Sequence, residues 1–118
     1  MFNSISTFIG AKDFKESKQF YKEIGFKESS LSDKMSYFNI NENLGFYLQD
    51  YNVEDWINNS MLFLEIENVE TYLEKLKSLD LTSKYKNCKL SEIVVNDWGK
   101  EFFLHDSSGI LWHIGCFY

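Results

Sequence analysis

The sequence predicts an α+β fold made of two tandem βαβββ modules within a single domain. Short strand-like segments alternate with amphipathic helical segments, and the same order of segments occurs twice. The helix caps repeat as well, because Asp13 and Asn68 precede the two helices and stand 55 positions apart. We expect module one at about residues 1–50, a linker at about 51–60 and module two at about 61–118.

The first module begins with a β-branched and aromatic segment at residues 5–9, which predicts a strand ended by Gly10. Asp13 can cap the helix that follows, with Glu16 in capping-box position, and Gly25 is its natural stop. Three short strands separated by polar turns are then predicted at residues 26–31, 35–40 and 46–49.

The second module repeats this order, with a strand at residues 61–66 and a helix after Asn68. Further strands are predicted at residues 88–95, 101–105 and 110–117. Superposing Gly45 on Gly109 gives a shift of 64 positions, which indicates extra residues in module two before its last hairpin.

Charge and hydropathy limit the classes of partner. The net charge is −6 and all 12 basic residues are lysines, so the field of the chain repels phosphates and we expect no nucleic-acid partner. No apolar run approaches the roughly 20 residues of a membrane-spanning helix, so no membrane partner is expected. The first ten residues do not have the pattern of a secretion signal, and we therefore expect a cytoplasmic protein.

The two cysteines, Cys88 and Cys116, have neither a metal-type nor a redox-type spacing. In a reducing compartment they are expected to be free thiols. Cys116 is interpreted as a buried inert thiol of the last strand.

Both ends of the chain carry motifs of a known superfamily. Residues 13–26 resemble the helix motif D-x-x-x-S-x-x-F-Y-x-x-x-G-F of the glyoxalase/bleomycin-resistance/dioxygenase superfamily, which has the vicinal oxygen chelate fold. Trp98-Gly99 and residues 102–113 resemble its closing motif W-G-x-x-x-F-x-x-x-D-P-D-G-N-x-W-E, with Asp-Ser-Ser-Gly in place of Asp-Pro-Asp-Gly. The resemblance implies a curved, half-open mixed sheet around a concave cavity, with the helices on its outer face.

Metal-dependent members of this superfamily take ligands from the first and last strands of each module. The resemblance assigns these four positions to Ser6, Gln49, Met61 and His113. They offer one imidazole, one amide, one hydroxyl and one thioether, a mixture that no divalent metal prefers. We therefore expect no metal and no other cofactor.

His113 is the one catalytic candidate. Strand alternation predicts that it faces the cavity while Trp112 packs behind the sheet. It could act as a neutral donor or a general base, or it could be a hydrogen-bonded structural residue. His105, beside Asp106 at a turn, is expected to face solvent.

What remains is binding. Metal-free bleomycin-resistance-type members of the superfamily are acidic dimers that sequester ligands in aromatic-lined grooves, and this chain is acidic and rich in aromatic residues. Its predicted cavity residues, besides the four positions above, are Phe8, Tyr37, Tyr47, Phe63, Glu65, Trp98 and Phe102.

The sequence thus predicts a metal-free, homodimeric protein that binds a planar or cationic small molecule, such as an antibiotic. Two alternatives stay open. One is a lyase, isomerase or dioxygenase of the superfamily that works without metal or with atypical ligands. The other is an orphan dimer with a vestigial cavity.

Overall fold

Two mixed sheets, each covered on one side by an amphipathic helix, form the framework of the protein. The structure, a computed structural model, describes residues 1–118. The chain divides into two compact units, Met1–Ile57 and Asn58–Tyr118, which we call unit 1 and unit 2. No helix is long and apolar enough to cross a membrane.

Unit 1 contains a four-stranded sheet in the order β1-β4-β3-β2. Strand β1 runs parallel to β4, and the other pairs are antiparallel. Its elements are β1 (Phe8–Ile9), α1 (Phe14–Glu23), β2 (Lys27–Ser32), β3 (Met35–Asn39) and β4 (Gly45–Gln49), followed by α2 (Glu54–Asn59) at the boundary of the units.

Unit 2 repeats this arrangement. Its sheet has the order β5-β9-β8-β6, with β7 also paired to β8, and β5 runs parallel to β9. Its elements are β5 (Met61–Glu65), α3 (Val69–Ser78), α4 (Leu81–Lys84), β6 (Lys89–Leu90), β7 (Val94–Val95), β8 (Gly99–His105) and β9 (Leu111–Phe117).

The sequence explains where the two long helices begin. The side chain of Asp13 accepts a hydrogen bond from the backbone N–H of Glu16 at 3.1 Å, and Asn68 accepts one from Thr71 at 2.9 Å. Each cap satisfies a donor that the first helical turn leaves without a partner. Gly25 has φ +102, a left-handed conformation that favours glycine just after a helix.

Each helix packs on alternate residues of its sheet. In unit 1 the ring of Tyr21 from α1 lies 4.9 Å from Phe46 and 5.6 Å from Phe38. In unit 2 the ring of Tyr72 from α3 lies 6.4 Å from Phe102. We call this side of each sheet the helix side, and the opposite side the open face.

The α+β class and the order of the predicted strands and helices are confirmed, with differences at weakly specified segments. Strand β1 is shorter than the predicted 5–9, and the segment 88–95 forms two short strands. The two short helices, α2 and α4, were not predicted because neither has enough turns for an apolar stripe. Helix α4 follows Asp80, which has φ 55. This left-handed conformation cannot be predicted from the residue type alone.

Strand pairing corrects the predicted superposition of Gly45 on Gly109. The last hairpins close at the pairs Asn39–Gly45 and His105–Leu111, so Gly45 corresponds to Leu111. Gly109 lies in the turn itself, with φ +96. Gly45 begins a strand and Gly109 lies in a turn, so the two do not correspond. The correct shift between the modules at this hairpin is therefore two residues larger than the predicted 64.

Candidate functional site

The open face of unit 2 combines exposed rings with a hydrogen-bonded histidine and glutamate. Phe63 of β5, His113 of β9 and Phe103 of β8 pair across the sheet and share this face. Because side chains alternate along a strand, the residues two positions away lie there as well. The open face of unit 2 consists of Met61, Phe63, Glu65, Gly99, Glu101, Phe103, His105, Leu111, His113, Gly115 and Phe117.

Two rings of this face, Phe63 and Phe117, form an exposed cluster with the ring of Trp98, which directly precedes β8. Phe63 lies 5.9 Å from Trp98 and 5.7 Å from Phe117, and Trp98 lies 5.3 Å from Phe117. Their exposed fractions are 46% for Phe63, 37% for Trp98 and 56% for Phe117. We call these residues the aromatic cluster. Large apolar side chains that remain together in solvent commonly mark a binding surface.

A polar network adjoins the aromatic cluster. Nδ1 of His113 is 2.9 Å from Oε1 of Glu101, and the side-chain amide of Asn96 donates to Oε2 of Glu101 at 3.1 Å. The side chains of His113 and Glu101 are 25% and 11% exposed. The imidazole stacks on Phe63 at 6.5 Å and meets the edge of Phe103 at 5.1 Å, so rings flank it on two sides.

Gly115 provides the space in which these groups meet. A Cβ atom at this position would lie 3.2 Å from Cζ of Phe63, 3.1 Å from Cβ of Glu101 and 2.8 Å from the carbonyl oxygen of Lys100. Any larger residue would displace the phenyl ring, the carboxylate or the strand itself. The close approach of the aromatic cluster to the polar network therefore depends on glycine.

Glu101 is a site residue that the sequence pattern alone does not identify. A strand was predicted at 101–105, but its residues were not sorted by face. The pair Phe103–His113 fixes that sorting, because Glu101 lies two positions from Phe103 and hence on the same side. The alternation of side chains along β8 contains this information, but it can be used only when the register of β8 on β9 is known.

The open face of unit 1 carries a row of rings without an ionisable pair. Phe8 stacks on Tyr47 at 4.5 Å with an interplanar angle of 12°, and Tyr47 meets Tyr37 at 4.8 Å. The ring of Tyr37 lies directly over Gly45, where a Cβ atom would clash with it. Gln49, at the end of β4, is half-buried, and Ser6 precedes β1 and is also half-buried.

Phe102 lies elsewhere than expected. It pairs with Ile114 on the helix side of unit 2 and is fully buried against α3. The prediction took Phe102 for a cavity residue because of its type, but alternation places its neighbours Glu101 and Phe103 on the open face instead. Met61 and Glu65 are exposed on that face.

The four positions assigned to metal ligands do not fit a metal site. Met61 pairs with Leu111, whereas the β5 residue opposite His113 is Phe63, which has no donor atom. No three His, Cys, Asp or Glu side chains come together anywhere in the protein. The hydrogen bond from His113 to a carboxylate is one that metal-binding histidines often make, but a divalent ion needs further donors that are missing here.

The remaining titratable candidates are structural. Burial, and to a lesser degree the Asp106 carboxylate, raises the pKa of Cys88 to about 12, so its thiol stays protonated at neutral pH. Cys88 and Cys116 form no disulfide, as expected, but Cys116 is half-buried and not buried as predicted. His105 is half-buried rather than solvent-facing, and burial followed by the charge of Lys89 lowers its pKa.

Asp106 organises the buried turn between β8 and β9. Its Oδ1 accepts hydrogen bonds from the backbone N–H groups of Ser108 at 2.8 Å and Ile110 at 2.9 Å. Asp106 and the two serines that follow it are fully buried. The motif Asp-Ser-Ser-Gly therefore shapes a turn and does not supply reactive groups.

Solved structures share this fold at low sequence identity. The bleomycin-binding protein of Streptomyces verticillus, complexed with copper(II)-bleomycin, matches with a TM-score of 0.82 and 13% identity over 100% of both chains. The bleomycin resistance determinant encoded on transposon Tn5 matches at 0.80 and 16% identity, over 96% of this chain and 97% of that one. Lactoylglutathione lyase from Agrobacterium tumefaciens matches at 0.73 and 12% identity, over 96% and 92%.

At the level of sequence, no family model and no curated protein matches the chain. The agreement in fold nevertheless covers nearly the whole length of each solved structure. The prediction made from the two terminal motifs is confirmed: the chain has the fold of the glyoxalase/bleomycin-resistance/dioxygenase superfamily.

Proposed function

We propose that this protein is a metal-free binding protein that sequesters a flat small molecule against the aromatic cluster of unit 2. The observation that carries the proposal is the exposure of Phe63, Trp98 and Phe117 beside the network of His113 and Glu101. Flat apolar walls with a few polar groups are the usual composition of a small-molecule site. The rings supply contact area, and the network supplies orientation.

Three further observations support this proposal. Solved structures with the same fold include bleomycin-binding proteins in complex with bleomycin. The net charge of −6 raises the local concentration of cations around the protein, which favours a cationic ligand such as a basic antibiotic. The missing ligand set supports binding without a resident metal.

The proposal includes a cytoplasmic homodimer. Each sheet ends in an outer strand, β1 in unit 1 and β5 in unit 2, that has a strand partner on one side only. Phe8 on β1 is exposed. Sheet edges with exposed apolar side chains are commonly covered by a second copy. The free thiols of Cys88 and Cys116 are compatible with a reducing cytoplasm.

A second candidate function is metal-independent catalysis with His113 as general base. The specific observation in its favour is the hydrogen bond to Glu101, since a carboxylate that orients an imidazole is a common device in acid–base catalysis. Under this alternative the bound molecule would be converted, whereas a sequestering protein would release it unchanged.

The test is a binding measurement with two probes of equal size and opposite charge, naphthylmethylamine and naphthalenesulfonate. We expect the cation to raise Tm and to bind more tightly than the anion, and at 100-fold excess over Kd it should stabilise the fold by about 2.7 kcal/mol. Trp98→Ala should abolish most of this effect. Tyr51→Ala is the matched control, because Tyr51 is exposed, lies outside the strands and contacts Trp56, which is not part of the aromatic cluster.

Unchanged binding in Trp98→Ala, or no stabilisation by either probe, would contradict the proposed site. Chromatography of the recovered probe separates the two candidate functions, because conversion would favour the enzyme. Elemental mass spectrometry of the untagged protein tests the metal-free part, which near-stoichiometric retention of a metal would contradict.

A further inference from the structure

We infer that the site of unit 2 selects ligands that present an N–H or O–H donor beside their flat apolar part. The inference rests on the proposed function and adds the polarity of the recognised group. Its structural basis is that Glu101 holds His113 in the tautomer that leaves Nε2 as a hydrogen-bond acceptor.

The tautomer follows from the chemistry of the carboxylate. An ionised carboxylate only accepts hydrogen bonds, so both of its partners must donate. Oε1 of Glu101 is 2.9 Å from Nδ1 of His113, and Oε2 is 3.1 Å from Nδ2 of Asn96. Nδ1 therefore carries the proton of the neutral imidazole, and Nε2 carries a lone pair.

Nε2 is the polar atom that His113 has left to offer a ligand. The ring forms its one hydrogen bond through Nδ1, and a quarter of the side chain remains exposed. Phe63 stacks on the imidazole and is also part of the aromatic cluster, so a flat ligand on the cluster lies beside this ring. A donor on the ligand would satisfy Nε2, whereas an acceptor would face its lone pair.

Asn96 makes the inference testable with one isosteric change. In Glu101→Gln the amide oxygen is held by the Asn96 donor, in the place of Oε2. The new amide N–H₂ group then faces Nδ1 of His113, which must accept, and the proton moves to Nε2. The shape of the site is kept while the polarity offered to the ligand is inverted. Glu101 is thus a positioning residue.

The experiment measures the affinities of naphthol, isoquinoline and naphthalene at about pH 8, where imidazole side chains are mostly neutral. These two-ring probes bring a donor, an acceptor and no polar group. We expect the wild type to bind naphthol roughly tenfold more tightly than isoquinoline, as one unsatisfied polar group would cause. Glu101→Gln should reverse this order and leave naphthalene unchanged. Glu70→Gln is the matched control, because Glu70 pairs with Lys100 outside the site.

Nitrogen NMR reads the tautomer directly and without a ligand. We expect a proton on Nδ1 of His113 in the wild type and on Nε2 in Glu101→Gln, with His105→Gln used to assign the two histidines. A proton on Nε2 in the wild type would overturn the inference.

The outcomes separate this inference from the proposed function. If the probes bind but isoquinoline equals or exceeds naphthol, or if Glu101→Gln keeps the wild-type order, the donor preference is wrong and the proposed function stands. If no probe binds to any variant, the proposed function fails and the ligand preference fails with it.

Discussion

In each unit a carboxylate of a sheet strand takes part in a hydrogen-bond network, but the two carboxylates lie on opposite sides of their sheets. In unit 1, Glu28 of β2 accepts from the Ser36 hydroxyl at 2.5 Å and pairs with Lys22 of α1 at 2.9 Å. Glu28 pairs with Phe38 across the sheet and so lies on the helix side. In unit 2, Glu101 lies on the open face with His113 and Asn96.

This difference distinguishes a network that is used within the fold from one that reaches an open face. The network of Glu28 joins two strands to the helix that covers them, and all its groups are used within the fold. The network of Glu101 is not covered by α3 and ends at an imidazole of which a quarter is exposed. The network of Glu101 joins β8 to β9, but on the face away from the supporting helix, where His113 keeps part of its side chain in solvent. A desolvated carboxylate in this place favours a role in recognition.

The open faces of the two units also carry different side chains at corresponding positions. Strand register aligns Phe8 with Phe63 and Tyr47 with His113. Unit 1 therefore has rings and phenol groups where unit 2 has rings and an oriented imidazole. Both faces present rings, and unit 2 adds the imidazole that Glu101 orients.

The largest expected effect concerns the helix sides, where Phe102 of unit 2 corresponds to Ser36 of unit 1. Phe102→Ala should lower the free energy of unfolding by about 3–5 kcal/mol, because it empties a fully buried position. Ser36→Ala should cost about 1–2 kcal/mol, because the Glu28 carboxylate loses one donor and keeps Lys22. Urea unfolding measures both. A loss in Ser36→Ala that equals the loss in Phe102→Ala would show that the unit 1 network does more than join strands to a helix.

The next effect concerns affinity at the aligned positions Phe63 and Phe8. Phe63→Ala should weaken binding of naphthylmethylamine roughly tenfold, since a truncated aromatic anchor commonly costs about 1–2 kcal/mol. Phe8→Ala should change the affinity by less than about twofold, within the range of near-neutral contacts. Calorimetry measures both, with Tm as the control for folding. A larger loss of affinity in Phe8→Ala than in Phe63→Ala would indicate that the ligand binds to unit 1.

The smallest expected effect is the pH dependence that Glu28 contributes. Burial raises the pKa of Glu28, but the hydrogen bonds from Ser36 and Lys22 outweigh it, and the pKa is lowered from its ordinary value of 4.5. A lowered folded pKa means that the stabilisation is present above pH 4.5 and is lost as the pH falls through the folded pKa.

Glu28→Gln should therefore cost up to about 1 kcal/mol at neutral pH, since Lys22 is largely exposed, and nothing in strong acid. Unfolding free energies of the two proteins across the acidic range measure this difference. A difference in unfolding free energy between the two proteins that stays constant at every pH would contradict the lowered pKa of Glu28.

The sequence was sufficient for features that are local along the chain. Asp13 and Asn68 marked the helix starts, and alternation correctly separated Trp112, which is buried, from His113. Features that depend on pairing between distant strands were not accessible. The side of Phe102 and the neighbourhood of Glu101 follow only from the register of β8 on β9, and a shift of one residue would exchange their faces.

The most direct test of the central claim uses the three tryptophans as reporters within one protein. Trp98 belongs to the aromatic cluster, Trp112 is buried on the helix side of the same sheet, and Trp56 lies in α2 of unit 1. Their indole N–H signals can be followed by NMR during titration with naphthylmethylamine. We predict a saturable shift of the Trp98 signal with the other two nearly unchanged. A shift confined to Trp56, or no shift of Trp98 at saturation, would contradict the assignment of ligand binding to the open face of unit 2.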